Sequence, residues 1–210
     1  PDEKDDKEMI ILGRRVRWTN AGIEFEEDPK HREKIVRYFG LGENSKSVVS
    51  PGDKYPREEP GDDVLLDGKE ATEFRGLVAT LNFLSLDDPV LQFITKSVSR
   101  EMANPVRGSW KRLKRVARFV SGCAKVVWHY GLQSEPGDSV VFTDSDWGGD
   151  QRDRKSTSGG VWFLGNHCIK TWSSTQGAYA LSSAEAELYG MVEGVTRAKG
   201  LASLAHEVGF

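Results

Sequence analysis

The spacing of apolar side chains changes period near residue 125, and that change limits what the chain can fold into. Upstream the period is helical. Phe74, Leu77, Val78, Leu81 and Leu84 recur at three and four, followed by Leu91, Ile94 and Val98, then by Leu113, Val116, Ala117 and Val120. Downstream the pattern becomes that of strands: Val126–Tyr130, Ser139–Thr143, Val161–Leu164 and Ile169–Ser173. Gly165-Asn166 between the last two is a hairpin signal. A long helix is expected over Ser182–Val208, with Ser182 and Glu185 at capping-box spacing and Leu188, Met191, Val192 and Val195 as its buried stripe. Helices first, then antiparallel strands, then a helix predict an α+β chain and not an alternating parallel one.

The N-terminal third carries its own signals. Arg14–Glu27 predicts two short strands around Asn20-Ala21-Gly22, with Val16 and Trp18, then Ile23 and Phe25, at period two. Asp28-Pro29 opens a helix to about Leu41, with Asp28 as cap and Pro29 at the first helical position. Residues 1–9 are charged and read as a solvated tail. Their lack of an initiator Met and of any leader pattern is expected of a piece of a longer chain. Residues 43–68 hold Pro51, Pro56 and Pro60 with few apolar side chains, which predicts a linker or extended loop. Further breaks fall at Asn104-Pro105, between helices over Pro89–Met102 and Ser109–Val120.

Hydrophobic residues make up 38% of the 210, enough for a sizeable core and too many for disorder throughout. No apolar run approaches the ~20 residues that span a bilayer, so no membrane role is expected. Two cysteines, Cys123 and Cys168, cannot form a disulfide framework, so an intracellular setting is expected. The net charge of −3 hides a partition: residues 1–70 sum to −5, 71–130 to +6 and 131–210 to −4. A basic middle between acidic flanks predicts one surface that meets polyanions.

Three groups of residues can carry chemistry. Arg107, Lys111, Arg112, Lys114, Arg115 and Arg118 crowd one predicted helix opposite its apolar stripe. Such a face neutralises phosphates without reading sequence, although a solvated helix face has the same composition. Asp144 closes a strand, and Glu187 lies in the first turns of the last helix. A strand-end Asp and a helix Glu converge when the helix packs across the sheet, and hard oxygen ligands suit Mg²⁺ or Mn²⁺. On spacing alone the signal is weak, and two surface carboxylates without a role explain the pair better. Third, Asp153-Arg154-Lys155-Ser156-Thr157-Ser158-Gly159 offers cations, hydroxyls and flexible backbone, a phosphate cradle or an ordinary polar turn. Asp150 and Asp153 fit turn positions. The four His have no ligand spacing, and Trp110 beside the basic cluster is a candidate stacking surface.

The run Phe142-Thr143-Asp144-Ser145-Asp146-Trp147-Gly148-Gly149-Asp150, the run Asp153–Gly160 and the run Ala180-Leu181-Ser182-Ser183-Ala184-Glu185-Ala186-Glu187 resemble, in order and spacing, the ribonuclease H region of copia-type retrotransposon Pol polyproteins. Upstream, Phe74–Val78 with Leu81–Leu84, and Ser99–Pro105 with Trp110–Arg115, resemble that family's segment joining reverse transcriptase to ribonuclease H. The resemblance implies a reverse-transcriptase tail over residues 1–47 and a linker over 48–68. It further implies a helical connection over 69–124 and a partial ribonuclease H-like fold over 125–210, three antiparallel strands then a long helix. It implies Asp144 and Glu187 as catalytic, metal-holding carboxylates with Mg²⁺ or Mn²⁺ as cofactor. RNA–DNA hybrid or template–primer duplex would be the partner, beside the remainder of the polyprotein. The six helix cations and Arg154, Lys155, Ser156 and Thr157 would touch nucleic acid. The family's two later catalytic carboxylates and its polymerase Tyr-x-Asp-Asp motif do not occur in these residues, and its usual Arg-Pro-Asp is replaced by Asp87-Asp88-Pro89. Little nuclease activity is therefore expected of this chain alone. The alternative is a non-catalytic nucleic-acid-binding or scaffold module.

Overall fold

A computed structural model describes residues 7–42, 45–52, 59–134, 138–150, 152–207 and 209. Two compact units emerge, Pro1–His129 and Tyr130–Phe210.

In the first unit β1 (Glu8–Ile11), β2 (Arg14–Thr19) and β3 (Gly22–Glu26) form an antiparallel meander, with Val16 opposite Phe25 and Trp18 opposite Ile23. The expected pair is present. The tail expectation is corrected at Glu8 and Met9, which belong to β1, while residues 1–6 lie outside the described residues. The strand expected over 126–130 is β4 (Val127–Gly131), and it lies beside β3 in this sheet.

Helix α1 (Pro29–Tyr38) starts where Asp28 accepts the Lys30 N–H at 2.9 Å, and stops at Gly40 with φ +61°. Helix α2 (Gly68–Asp87) has a complete capping box between Asp67 and Glu70. A 3₁₀ turn at Pro89–Leu91 leads into α3 (Gln92–Ser99), and α4 (Arg107–Gly122) follows. The core is the one that the helical periods mark: Phe74, Leu77, Val78, Leu81, Leu84, Leu91, Val98, Leu113, Val116, Ala117 and Val120, joined by Ile35 of α1. Trp110, a candidate stacking surface from sequence, packs against this core, 5.8 Å from the Phe39 ring and 6.1 Å from the Phe74 ring. That correction has a plain cause: position 110 lies one turn ahead of Leu113 on the apolar side of α4.

The second unit is smaller. β5 (Ser139–Ser145), β6 (Thr157–Leu164) and β7 (His167–Thr175) form a three-stranded antiparallel sheet in that order, and α5 (Ser183–Glu207) crosses it. The β6–β7 loop is the expected two-residue Gly165-Asn166, with Gly165 at φ +58°. This is the mixed α/β arrangement of a partial ribonuclease H-like fold.

One expectation about α5 is overturned. Leu188, Met191, Val192 and Val195 are each more than half exposed, and the helix buries Ala186, Gly190 and Gly194 instead. Small residues let the helix axis approach the sheet closely, and the large apolar side chains are left on the outward side. Periodicity finds a stripe but does not say which of two stripes meets the sheet. Val208, the expected end of this helix, lies outside the described residues.

Candidate functional site

Strand β5 turns alternate side chains to opposite faces. Val141, Thr143 and Ser145 lie beneath α5: a β-carbon on Gly194 would meet Val141 Cγ1 and Thr143 Cγ2, and one on Gly190 would lie 3.8 Å from Ser145 Cβ. Val140 and Phe142 alternate onto the open face, where Phe142 meets Phe163 edge-on at 6.2 Å between ring centroids. Asp144 shares their parity and is exposed, one residue before the strand ends. Glu187 is half-buried, one helical turn ahead of Gly190. The backbones of the two motifs meet directly, since a β-carbon on Gly190 would stand 3.7 Å from the Asp144 carbonyl oxygen.

Most other motif residues hold this junction together. Asp146 accepts the Thr157 N–H at 2.7 Å and donates its own N–H to the Thr157 carbonyl at 3.1 Å, continuing the β5–β6 ladder past the strand end. Ser156 is buried, and its hydroxyl accepts the Gly148 N–H at 3.0 Å. Trp147 donates its indole N–H to the Ala180 carbonyl at 3.0 Å, tying the loop after β5 to the approach to α5. Ser182 caps the helix by accepting the Glu185 N–H at 3.2 Å, while Glu185 reaches back to the Leu181 N–H and receives the Tyr189 hydroxyl. Those two bonds, the Tyr189 hydroxyl first, hold the Glu185 carboxyl below its ordinary range. Asp150 and Asp153 are turn residues as expected, accepting the Arg152 and Lys155 N–H groups.

Of the four loop residues expected to touch nucleic acid, Arg154 is exposed at φ +56°, and the Lys155 ammonium lies 5.6 Å from the Tyr179 ring centroid. Ser156 and Thr157 are buried. Sequence reasoning missed Gln176, which is 6% exposed. Its N–H donates to the Ser156 carbonyl at 2.8 Å, and its side-chain amide donates to Ser158 Oγ at 3.0 Å and to the Ala186 carbonyl at 2.8 Å. The available signal was its place just after the last strand residue.

The basic helix is partly engaged within its own unit. Residues 46–52 and 59–66 run antiparallel along α4. Arg118 donates to the Lys46 carbonyl at 2.8 Å and Arg115 to the Gly52 carbonyl at 3.3 Å. Lys111 pairs with Glu59 and, at 2.8 Å, with Asp62, contacts that raise its ammonium above the ordinary range, Asp62 first. Near its N-terminus α4 donates the Gly108 and Arg107 N–H groups to the Asp62 and Val64 carbonyls, both at 2.9 Å. Arg112 meets the buried Glu101 at 2.8 Å. Arg107 and Lys114 have exposed side chains. The segment expected as a linker is, in its described parts, a strap. Its centre, with Pro56, lies outside the described residues.

Asp144 and Glu187 stand on adjoining backbones and supply hard oxygen donors, Asp144 from the face of β5 turned away from α5. Mg²⁺ is commonly held by one or two carboxylates with waters and substrate phosphates completing an octahedron, so the donor chemistry fits one such ion. Among the described residues no group of three His, Cys, Asp or Glu could hold a metal. No helix among them is long and apolar enough to cross a membrane.

No family model and no solved structure matches the chain. Curated relatives do. It is 32% identical over 144 residues to the retrovirus-related Pol polyprotein from transposon RE2 of Arabidopsis thaliana, covering 67% of this chain and 10% of that protein. To the uncharacterized mitochondrial protein AtMg00810 of the same plant it is 32% identical over 180 residues, covering 84% of this chain and 71% of that protein. To the secreted RxLR effector protein 161 of Plasmopara viticola it is 31% identical over 123 residues, covering 57% and 84%. The chain thus spans about a tenth of the length of the Pol polyproteins that it matches. With the three motif runs meeting at one junction, these identities establish that the chain belongs to the retrovirus-related Pol polyproteins of copia-type transposons.

Proposed function

We propose that the second unit is part of a ribonuclease H centre, in which Asp144 and Glu187 hold a divalent cation for hydrolysis of the RNA strand in an RNA–DNA hybrid. The observation that supports this reading is Gly190 resting on the Asp144 carbonyl, which brings the backbone at the start of α5, and Glu187 with it, to the end of β5, while the Asp144 carboxylate leaves the strand on the face opposite α5. A magnesium or manganese ion, when bound, polarises a phosphodiester oxygen and lowers the pKa of a bound water. The chain's own part is to bind and orient. In the second unit Arg154 and Lys155 on the β5–β6 connection, and in the first unit the exposed α4 cations Arg107 and Lys114, meet the phosphates of a hybrid or template–primer duplex. Two carboxylates are half of the set that the resemblance implies for two ions, so the 210 residues alone are expected to cleave slowly or not at all.

The test is a Mn²⁺ titration followed by electron paramagnetic resonance, on the wild-type chain and on Asp144→Asn and Glu187→Gln. A shared site predicts that each variant loses most of the high-affinity binding. Binding that survives either change intact removes the shared-ion reading.

A further inference from the structure

We infer that Gln176 is a positioning residue for the carboxylate pair, a role that rests on the reading of Asp144 and Glu187 as metal ligands. The side-chain amide has two N–H donors: one goes to β6, the strand paired with the Asp144 strand β5, and the other to α5, the helix that carries Glu187. One goes to Ser158 Oγ at 3.0 Å on β6. Ser158 lies opposite Ser145, the neighbour of Asp144, and its Oγ would be 3.7 Å from a β-carbon on Gly190. The other goes to the Ala186 carbonyl at 2.8 Å, the peptide that leads directly into Glu187.

Gln176 is itself fixed from behind, because its backbone N–H donates to the Ser156 carbonyl at 2.8 Å. Ala186 and Ser158 are both fully buried, so the amide bridges two buried groups on different elements. A carbonyl within the first turns of a helix normally accepts only from the residue four positions on. An additional side-chain donor aimed at Ala186 therefore fixes the axial position and rotation of the first turn of α5. Gln176 touches neither carboxylate; it holds the α5 peptide that leads into Glu187 and fastens it to β6, the strand paired with the end of β5 that carries Asp144. Residues that orient ligands in this way typically cost 10–100-fold in metal affinity when altered.

A generic helix–sheet contact makes a fair comparison. Ser174 donates to both carboxylate oxygens of Glu193 at 2.7 Å, joining β7 to α5 almost two turns beyond Glu187. The experiment compares Gln176→Met, which keeps the side-chain volume and removes both donors, with Ser174→Ala, each in the 210-residue chain. Mn²⁺ affinity is read by electron paramagnetic resonance and the melting midpoint by circular dichroism. The expected result is a Mn²⁺ dissociation constant raised at least tenfold in Gln176→Met and less than twofold in Ser174→Ala, with comparable falls in midpoint. Equal losses of affinity in both variants, or wild-type affinity in a folded Gln176→Met, overturn the role of Gln176. Asp144→Asn in parallel separates the two claims. If it leaves Mn²⁺ affinity unchanged, the metal reading itself is wrong and the inference falls with it. If it abolishes binding while Gln176→Met does not, only the inference fails.

Discussion

Gly194 stands so near Thr143 that a β-carbon built on it would lie 2.5 Å from Thr143 Cγ2 and 3.1 Å from Val141 Cγ1. The closeness of α5 to β5 is thus bought by the missing side chain. Ala has a helix propensity about 1 kcal/mol better than Gly, so a surface-only argument expects Gly194→Ala to stabilise. The packing argument expects the opposite, a net loss of about 1–3 kcal/mol from overpacking. Gly200, on the same helix with nothing within 4 Å of a β-carbon, should gain about 0.5–1 kcal/mol as Ala. Urea melts of the two variants against wild type check both signs.

Much of this architecture is legible from residue spacing. The Asp28-Pro29 start of α1, the α4 stripe from Leu113 to Val120 and the Gly165-Asn166 loop are local signals, and local signals were enough. The errors share a different origin. Leu188, Met191, Val192 and Val195 form a stripe as apolar as any in the chain, yet α5 buries Ala186, Gly190 and Gly194, since distance to the sheet, and not hydropathy, decides the buried face. The strap along α4 was invisible because carbonyl acceptors at Lys46 and Gly52 carry no side-chain signature. At the candidate site, Asp144 and Glu187 stand out within motif runs, whereas Gln176 acts through a pairing across three elements that one-dimensional spacing does not encode.

The replacement of the family's Arg-Pro-Asp by Asp87-Asp88-Pro89 lies within a charge network in the first unit. Glu27 is 1% exposed and receives Arg32, which also donates to the Val120 carbonyl at 2.9 Å and lies 3.5 Å from Asp88. Arg14 donates to both oxygens of Asp87 at 2.9 Å. Removing one partner of a buried pair costs about 3–5 kcal/mol, and the Asp88 carboxylate 3.5 Å from Arg32 offsets part of that here. Glu27→Ala should therefore destabilise the unit by an amount at the low end of that range, while Glu33→Ala, on the exposed side of α1, should change it by less than about 0.5 kcal/mol. Thermal melts followed at 222 nm distinguish the two.

The α4 cations should not contribute equally to nucleic-acid binding. Lys111, Arg112, Arg115 and Arg118 are each engaged with acceptors of their own unit, whereas Arg107 and Lys114 extend exposed side chains. Neutralising one phosphate contact lowers the salt slope of log affinity by about 1. Arg107→Gln with Lys114→Gln should therefore flatten the slope by about 2 and leave the melting midpoint near wild type. Lys111→Gln should lower the midpoint through the freed Glu59 and Asp62. Fluorescence anisotropy with a labelled hybrid across a salt series, beside melts of the same samples, checks this division; a wild-type slope in the double variant removes α4 from the interface.

Burial raises the Asp88 carboxyl above its ordinary range, against the opposing pull of the Val90 N–H and the Arg32 guanidinium. The sign follows from linkage. Between the unfolded pKa near 3.8 and the higher folded value, the folded chain binds more protons than the unfolded one, so this group's contribution to stability falls as pH rises through that window. Asp88→Asn removes the titration while keeping an acceptor for the Val90 N–H. The stability of Asp88→Asn minus that of wild type should therefore climb from pH 3.5 upward and level off once both forms of the wild type are ionised. Asp87, also raised chiefly by burial, should show the same direction when changed to Asn. Glu26 gives the opposite slope: the Lys125 ammonium lowers its carboxyl, so its contribution is present above pH 4.5 and lost as pH falls through the lower folded value. Urea melts of Asp88→Asn and Glu26→Gln at half-unit steps from pH 3.5 to 7 should yield difference curves of opposite slope. A flat difference for Asp88→Asn would mean that the Val90 N–H and the Arg32 guanidinium fully offset the effect of burial on its carboxyl.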